Sequence, residues 1–408
     1  MPKQIAQRIL EGNSARVRRE ALGESNPLQI SSQAKSLGQR VFMVLTNVLI
    51  HFSSPLSSKT TAHKTGIPIA ALDISPRRTH VILAGREILK TVRVSSATCA
   101  EECNLRSAII AYASTHTPLG GAVSAKHKDQ LAASDVKWSH GKFDSTIATA
   151  AANGRIVVYD INRTGVELAR LHEHNRQVHK IAFNPHEGAL LLSGSQDTTV
   201  KLWDLRAMSG DRSVMTCRSI HKYIGNNEGV RDVKWSPTDG VEFATGTDNG
   251  VVQRWDLRKE NAPLLKINAH DKTCHSIDWH PDGHHLASGS ADKNVKVWDF
   301  TSTDRRLKPS WEFRAPQAVL NIRWRPPCWS SETRGQGSWQ CTHLATSYDQ
   351  RDPRVHLWDF RRSNIPFREF DRYNSAPTIC FGIPKIYSGQ SAMRVCSRRL
   401  TFTLHLRC

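Results

Sequence analysis

Short stretches of alternating apolar and polar residues recur along this chain, and the clearest lie between His270 and Phe300. Three runs with a period of two residues are separated there by turn sequences rich in Pro, Asp, Gly and Asn: Ser276–Trp279, His285–Gly289 and Asn294–Trp298. A period of two is typical of a β-strand with one buried face, and short polar turns join such strands into hairpins. The stretch therefore predicts a small antiparallel meander.

The same meander recurs, which indicates a repeat protein. Five good copies have third strands that close on an aromatic residue followed by Asp160, Asp204, Asp256, Asp299 and Asp359. Two of the intervals between these aspartates exceed the roughly 40–45 residues of a WD repeat, and both contain inserts, near 208–225 and 327–340. A degenerate copy without the Trp-Asp ending starts at about Ile67, and residues 95–133 follow it as an insert or an outer strand.

A single four-stranded blade cannot bury both of its faces, so neighbouring blades stack around an axis to form the core. We therefore predict an all-β WD-repeat β-propeller at residues 66–377, with six recognisable blades and an expected seventh blade lost or altered. Eight tryptophans occupy equivalent positions in the repeats, and we interpret them as packing residues: Trp138, Trp203, Trp235, Trp255, Trp279, Trp298, Trp324 and Trp358.

Residues 1–65 show no sustained period and predict a disordered basic, Ser-rich leader. Its most apolar run, Val41–Phe52, is shorter than the roughly 20 residues needed to cross a bilayer. That run predicts a buried strand or an apolar patch.

Composition narrows the range of functions. Among 408 residues, Lys and Arg number 56 and Asp and Glu 37, a net charge of +19 that would suit nucleic acid or an acidic membrane surface. Many of the lysines, however, lie on strand positions that face water, and no basic run is interleaved with aromatics. The nine cysteines are scattered, which predicts reduced thiols, no metal site and no cofactor. No nucleotide-binding, hydrolase or metalloprotease motif is present, so we expect no enzymatic activity.

Polar residues inside two repeats form matching sets. One copy has His174, Ser193, Asp197 and Trp203, and another has the equivalent residues His270, Ser288, Asp292 and Trp298. Ser, His and Asp together can form a catalytic triad, but an enzyme does not need several copies of one. We interpret the sets as the structural hydrogen-bond network of WD blades, in which each buried donor meets an acceptor.

Three repeats end in Trp-Asp-x-Arg, with the arginine at Arg206, Arg258 or Arg361. This ending resembles the motif by which some WD proteins dock on adaptors of cullin-type ubiquitin ligases. The simpler interpretation, which we favour, is that the arginine caps the exit of the blade.

The sequence between Asp135 and Arg206 is more specific than a generic WD-repeat pattern. With Ala84–Lys90 (AGREILK) before it and Asn226–Asp232 (NNEGVRD) after it, it resembles the fungal restriction of telomere capping protein family. That family is similar to the WD-repeat subunit of the SEA complex, called the GATOR complex in animals. The resemblance covers about residues 66–377.

The resemblance implies a non-enzymatic scaffold that binds the other SEA/GATOR subunits. It implies a peripheral location on the cytosolic face of the vacuole membrane, in the subcomplex that promotes TOR kinase signalling when amino acids are available. The family name also implies a genetic link to telomere capping. Two alternatives stay open: a substrate receptor of a cullin-type ligase, and a basic surface that binds nucleic acid or anionic lipid.

The chain departs from the family towards residue 408. Family members continue to a RING-type zinc finger, and no such cysteine array follows here. After Thr378 the family continues with a segment of the type DLLWHSKD, whereas this chain reads ICFGIPKI. Because a shift of one nucleotide converts codons for the first segment into the second, we expect residues 378–408 to be an aberrant tail, translated out of frame from Ile379.

Overall fold

A computed structural model describes most of the region expected to fold. The described residues are 47–51, 60–95, 99–115, 132–163, 167–209, 215–225, 227–301, 307–325, 342–349, 352, 354–359, 365–366, 368–370, 377–381 and 401–405.

Strands dominate these residues, and six four-stranded antiparallel meanders follow one another along the chain. An antiparallel pair, β1 (Asn47–His51) and β2 (Thr60–Lys64), precedes them. Blade 1 contains β3 (Ala71–Ile74), β4 (His80–Ala84), β5 (Leu89–Val94) and β6 (Cys99–Cys103). Blade 2 contains β7 (Ala133–Trp138), β8 (Thr146–Ala151), β9 (Ile156–Asp160) and β10 (Glu167–Leu171). Blade 3 contains β11 (Val178–Phe183), β12 (Leu190–Ser195), β13 (Thr199–Asp204) and, after the short insert strand β14 (Met215–Thr216), β15 (Ser219–Ile224). Strand β14 itself pairs in parallel with β10 and is a fifth strand of the blade 2 sheet.

The remaining three blades have the same plan. Blade 4 contains β16 (Val230–Trp235), β17 (Glu242–Thr247), β18 (Val251–Asp256) and β19 (Leu265–Asn268). Blade 5 contains β20 (Cys274–Trp279), β21 (His285–Ser290), β22 (Asn294–Asp299) and β23 (Trp311–Arg314). Blade 6 contains β24 (Val319–Trp324), β25 (His343–Tyr348), β26 (Val355–Asp359) and β27 (Arg368–Phe370).

Register places the repeated apolar residues on common faces. In blade 5, Trp279 pairs with Leu286, and Leu286 pairs with Trp298 on the next strand. Side chains opposite each other in a sheet point to the same side, so the three form one apolar row. The six-bladed WD propeller predicted from the repeats is therefore confirmed.

The core lies between blades. Val295 and Val297 of blade 5 pack with Ile322 and Trp324 of blade 6 in one buried cluster. Equivalent clusters join the other consecutive blades, and the first strands β3, β7, β11, β16, β20 and β24 lie next to one another in that order. These first strands therefore form the inner wall of the propeller.

A seventh position between blade 6 and blade 1 is occupied from both ends of the chain. The antiparallel pair β28 (Pro377–Phe381) and β29 (Thr401–His405) lies there, with β28 near β24, β25 and β3, and with β29 near β1. The altered seventh blade is therefore two two-stranded sheets. The segment expected to be an aberrant tail thus contributes strand residues to this position, and residues 401–405 alternate polar and apolar positions as a strand does. The out-of-frame origin of the tail stays a prediction.

Two other segments resolve open alternatives. Strand β1 lies within the apolar run Val41–Phe52, for which a strand was one of two predictions; most of the leader lies outside the described residues. The 95–133 segment contains both the outer strand β6 and a helix, α1 (Leu105–Thr115), and two short 3-10 turns occur elsewhere, at Gly141–Phe143 and Leu205–Ala207. Among the helices of the described residues, none is long and apolar enough to cross a membrane.

Candidate functional site

The repeated His, Ser, Asp and Trp residues meet inside blade 3. His174 lies between two partners, with Nδ1 2.8 Å from Asp197 Oδ2 and Nε2 2.7 Å from Ser193 Oγ. The indole Nε1 of Trp203 donates to the same Ser193 Oγ at 2.9 Å. Four residues from the strand entrance, the middle strand, the turn and the third strand are thereby held together.

Blade 5 repeats this arrangement closely. His270 lies 3.0 Å from Asp292 and 2.8 Å from Ser288, and Trp298 donates to Ser288 at 2.9 Å. Other blades replace the histidine: in blade 6, Trp358 donates to Thr346 at 2.8 Å. Blades 3, 5 and 6 thus share the bond from the third-strand indole to a middle-strand hydroxyl, whereas in blade 4 the indole of Trp255 donates to Gln253 at 3.2 Å.

The electrostatics of these sets fit a structural role. Burial alone would raise the pKa of the Asp197 carboxyl, but hydrogen bonds with His174 and Thr199 outweigh it and hold the pKa well below its usual range. Ser193 and Ser288 are fully buried, so no substrate can reach either hydroxyl. In each set the polar groups are thus paired with one another inside one blade, as the structural interpretation predicts.

The Trp-Asp-x-Arg endings fold back on themselves. Arg206 Nε and Nη2 donate to the two carboxylate oxygens of Asp204 at 2.9 and 2.8 Å. Arg258 makes the same two-point contact with Asp256, at 2.9 and 2.8 Å. Each guanidinium is therefore paired with its own aspartate while the Arg206 and Arg258 side chains stay 55% and 72% exposed, and both interpretations of the ending stay predictions. Arg361 lies outside the described residues.

Sequence reasoning missed a row of aspartates that joins neighbouring blades. Asp135 of blade 2 accepts from the backbone N–H of Ile181 in blade 3 at 3.1 Å. Three further bonds also join a carboxylate of one blade to a backbone N–H of the next. Asp73 of blade 1 accepts from Trp138 of blade 2, Asp232 of blade 4 accepts from Ile277 of blade 5, and Asp278 of blade 5 accepts from Trp324 of blade 6. The signal was present in the sequence as an Asp in the first strands of blades 1, 2, 4 and 5, but the partner of each Asp lies in another repeat.

Cations accompany these buried carboxylates on the inner wall. Lys180 lies 3.5 Å from Asp135, and Arg323 lies 3.3 Å from Asp278. Burial would raise the pKa of Asp135, but Lys180, Lys137 and the Ile181 amide outweigh it and keep this pKa below its usual value. Lysines on these strands were predicted to face water. Lys180 and Lys137 instead lie beside carboxylates on the inner wall and offset their charge.

A second inner-wall group consists of bulged residues. The first strands of blades 3, 4 and 5 each shift register at one residue, and the extra residues are His179, Arg231 and His275. A bulge re-aims its extra side chain. Burial, followed by the charge of Arg231, lowers the pKa of His179 to about 4 despite the opposing effect of Asp248; Lys180 and His275 also lower it.

We expect acid to destabilise the fold partly through His179. Its pKa is about 4 in the folded state and about 6.5 in an unfolded chain, so below about pH 6.5 the unfolded chain binds an extra proton. The stabilisation present above that pH is lost as pH falls towards 4, by about 1–2 kcal/mol because partial contact with water weakens the burial effect. Urea unfolding at several pH values measures how the free energy of unfolding changes with pH. This change should be smaller for His179→Gln than for the wild-type protein, and the exposed His172→Gln should keep the wild-type change. An equal pH dependence in all three proteins would contradict the role of His179.

Exposed apolar residues mark the outer edge of blade 3. Ile220 and Ile224 on β15 are 46% and 51% exposed, and these two residues are here named the rim patch. Leu264, just before β19 of blade 4, is 39% exposed. Tyr223 of β15 donates to the Leu257 carbonyl at 3.1 Å, which holds β15 beside the 258–264 segment. Exposed apolar residues that cluster mark candidate protein-binding surfaces.

Similarity to known proteins follows the same propeller region. The family described as Nucleolar protein 10-like, N-terminal domain, matches residues 184–314. The GATOR2 complex protein WDR24 of Danio rerio is 32% identical over 328 residues, which make up 80% of this chain and 37% of that protein. Restriction of telomere capping protein 1 of Kluyveromyces lactis is 32% identical over 181 residues, 40% of this chain and 13% of that protein. The chain is a homologue of both proteins.

The WDR24 homologues extend well beyond the shared part. The human GATOR2 complex protein WDR24 is also 32% identical over 328 residues, and these are 36% of its length. The chain thus spans little more than a third of these WDR24 relatives. Among solved structures, a chain titled Crystal Structure of Mitotic Checkpoint Complex matches with a TM-score of 0.56 at 18% identity, covering 88% of each chain. At that identity the likeness supports the propeller fold alone.

Proposed function

We propose that the chain is a non-enzymatic WD-repeat scaffold subunit of a SEA/GATOR complex and promotes TOR kinase signalling in response to amino acids. The observation that carries this proposal is the 32% identity, over 80% of the chain, to a protein named for the GATOR2 complex. The two Ser-His-Asp sets support it, because their groups are consumed by bonds inside the blades. The proposal includes a genetic link to telomere capping, because the second homologue is named Restriction of telomere capping protein 1.

The rim patch is the surface that we propose for a partner subunit. It combines two exposed apolar side chains with the exposed Lys222 between them on the same outer strand. Apolar anchors surrounded by charge are typical of protein interfaces. A partner segment with apolar residues flanked by acidic ones would match it.

The proposal also places the protein at the cytosolic face of the vacuole membrane, held there by its partner subunits. A net charge of +19 would suit an acidic membrane surface beside those subunits. Direct binding to lipid or nucleic acid would weaken steeply with added salt, whereas an apolar interface would not.

Affinity purification of the tagged chain from its own cells, followed by mass spectrometry, tests the proposal. We expect SEA/GATOR subunits to be recovered at moderate salt, and the double variant Ile220→Lys, Ile224→Lys to reduce recovery about tenfold. The matched control is Tyr112→Lys, another exposed apolar position, at 41%, in blade 1. Recovery of a cullin adaptor or of nucleic acid alone would contradict the complex. Equal recovery with the double variant would reject the rim patch only.

A further inference from the structure

Two histidines and an aspartate come together at the turn between β20 and β21 of blade 5. The segment His280-Pro281-Asp282-Gly283-His284-His285 forms a tight hairpin, in which Gly283 donates to the His280 carbonyl at 3.0 Å and His280 donates to the His285 carbonyl at 2.7 Å. Gly283 has a φ of +74°, a conformation that suits glycine. The turn therefore brings residues 280, 282 and 285 to one side, a grouping that sequence reasoning did not foresee.

The backbone orients the Asp282 carboxylate. Its Oδ1 accepts from the amides of His284 and His285 at 2.8 and 3.1 Å. Its Oδ2 then faces the two imidazoles, 3.0 Å from His280 Nδ1 and 2.7 Å from His285 Nδ1. One oxygen is fixed by amides and the other lies between two nitrogens.

These three atoms match the ligands of a zinc-type cation. They lie within 4.8 Å of one another, and the two nitrogen–oxygen distances of 3.0 and 2.7 Å are close to the about 3.3 Å that separates ligands around tetrahedral Zn²⁺. His280 Nδ1 also lies 3.3 Å from the Asp282 amide nitrogen, which donates to it when that ring nitrogen is unprotonated. A cation bound to Oδ2 and to both Nδ1 atoms would take the place of the protons that the imidazoles otherwise donate to the carboxylate.

We propose that His280, Asp282 and His285 form a binding site for a divalent cation of the zinc type, through Nδ1, Oδ2 and Nδ1 respectively. Imidazole nitrogen with one carboxylate oxygen favours Zn²⁺ over Mg²⁺ or Ca²⁺, which prefer oxygen ligands. Water or the exposed His284 completes the coordination.

The surroundings suit a site that braces the fold. His280 and His285 are buried, while the Asp282 side chain is 21% exposed and gives the ion a route from solvent. Asp299 lies 3.9 Å from the far nitrogen of His285, where carboxylates commonly orient metal-bound histidines. The His280 ring packs edge-on against Trp324 of blade 6, with centroids 4.9 Å apart. Bound metal would thus stiffen the junction of blades 5 and 6.

Calorimetric titration of the full chain with Zn²⁺ tests the site, after purification with a histidine-free tag and treatment with a chelator. We expect one equivalent to bind, with a rise in melting temperature, and Co²⁺ to give the strong visible absorption of a tetrahedral site. Asp282→Asn keeps an oxygen for the turn amides and should weaken binding at least about tenfold. The matched control Asp239→Asn changes the equivalent turn of blade 4, where Asp239 accepts from the Val241 amide at 3.0 Å, and should leave binding unchanged.

Each of these measurements has a result that would overturn the proposed metal site. No heat of binding by the wild-type chain up to about 1 mM Zn²⁺ would overturn the proposal, because that limit already means weak affinity. If Asp282→Asn binds Zn²⁺ as the wild-type chain does, the ion is held elsewhere among the 19 histidines of the chain, and the proposal is overturned. If Asp282→Asn does not fold, His285→Gln takes its place, with the same tenfold loss expected and the same result against the site if binding is unchanged.

Discussion

Replacing Trp203 with alanine is expected to lower the free energy of unfolding by about 3–5 kcal/mol. The indole is fully buried, in the cluster that packs blade 3 against blade 2, and its Nε1 donates to Ser193 at 2.9 Å. The substitution removes this apolar surface, leaves a cavity and deprives a buried hydroxyl of its donor. Urea denaturation followed by fluorescence and circular dichroism measures the change.

The matched control for Trp203 is Ile224→Ala on the rim patch. Ile224 is 51% exposed, so its truncation should change the free energy of unfolding by less than about 0.5 kcal/mol. A loss below about 1 kcal/mol for Trp203→Ala would mean that the blade interface relaxes around the gap. In that event the tryptophans would not be the main packing residues.

Asp135→Ala is expected to cost about 3–5 kcal/mol, because it breaks a buried, paired carboxylate. The side chain is 2% exposed, and its loss takes the acceptor from the Ile181 amide and the partner from Lys180. Since the pKa of Asp135 lies below its usual value, the contribution is present at neutral pH. It disappears as pH falls below about 4 towards the folded-state pKa.

Two variants separate the parts of the Asp135 effect. Asp135→Asn keeps an oxygen acceptor without the charge, and we expect it to lose about half as much stability. Asp144→Ala removes an exposed ion pair between blades 1 and 2, in which Arg77 is 80% exposed, and should cost less than about 1 kcal/mol. Equal losses for Asp135→Ala and Asp144→Ala would show that the buried inner-wall bridge contributes no more to the free energy of unfolding than an exposed ion pair does.

Local periodicity predicted the first three strands of each blade well. In blade 5 the runs predicted at 276–279, 285–289 and 294–298 fall within β20, β21 and β22. Strands β20 and β22 alternate apolar and polar positions and reach a tryptophan at or next to their last residue, so the signal needs no knowledge of neighbouring repeats. The His-Ser-Asp-Trp sets were readable for the same reason, since all four residues belong to one repeat.

The rest depends on contacts that no single repeat encodes. The outer strands, such as Leu265–Asn268 and Arg368–Phe370, are short and were not predicted, because packing against the third strand selects them. The Asp135 bridge needs the rotation of blade 2 against blade 3. The zinc-type site needs a glycine turn that closes a hairpin around Asp282, a feature of backbone geometry that residue spacing does not show.

The inner-wall aspartates all reach in one direction along the chain. In each bridge the carboxylate belongs to the earlier blade and the amide to the next, as for Asp73 with Trp138 and Asp278 with Trp324. During synthesis the acceptor is therefore made before its donor, and it stays hydrated until the following blade folds. Since domains generally fold from the N-terminal side as the chain emerges, each finished blade presents a fixed acceptor on which the next one can align.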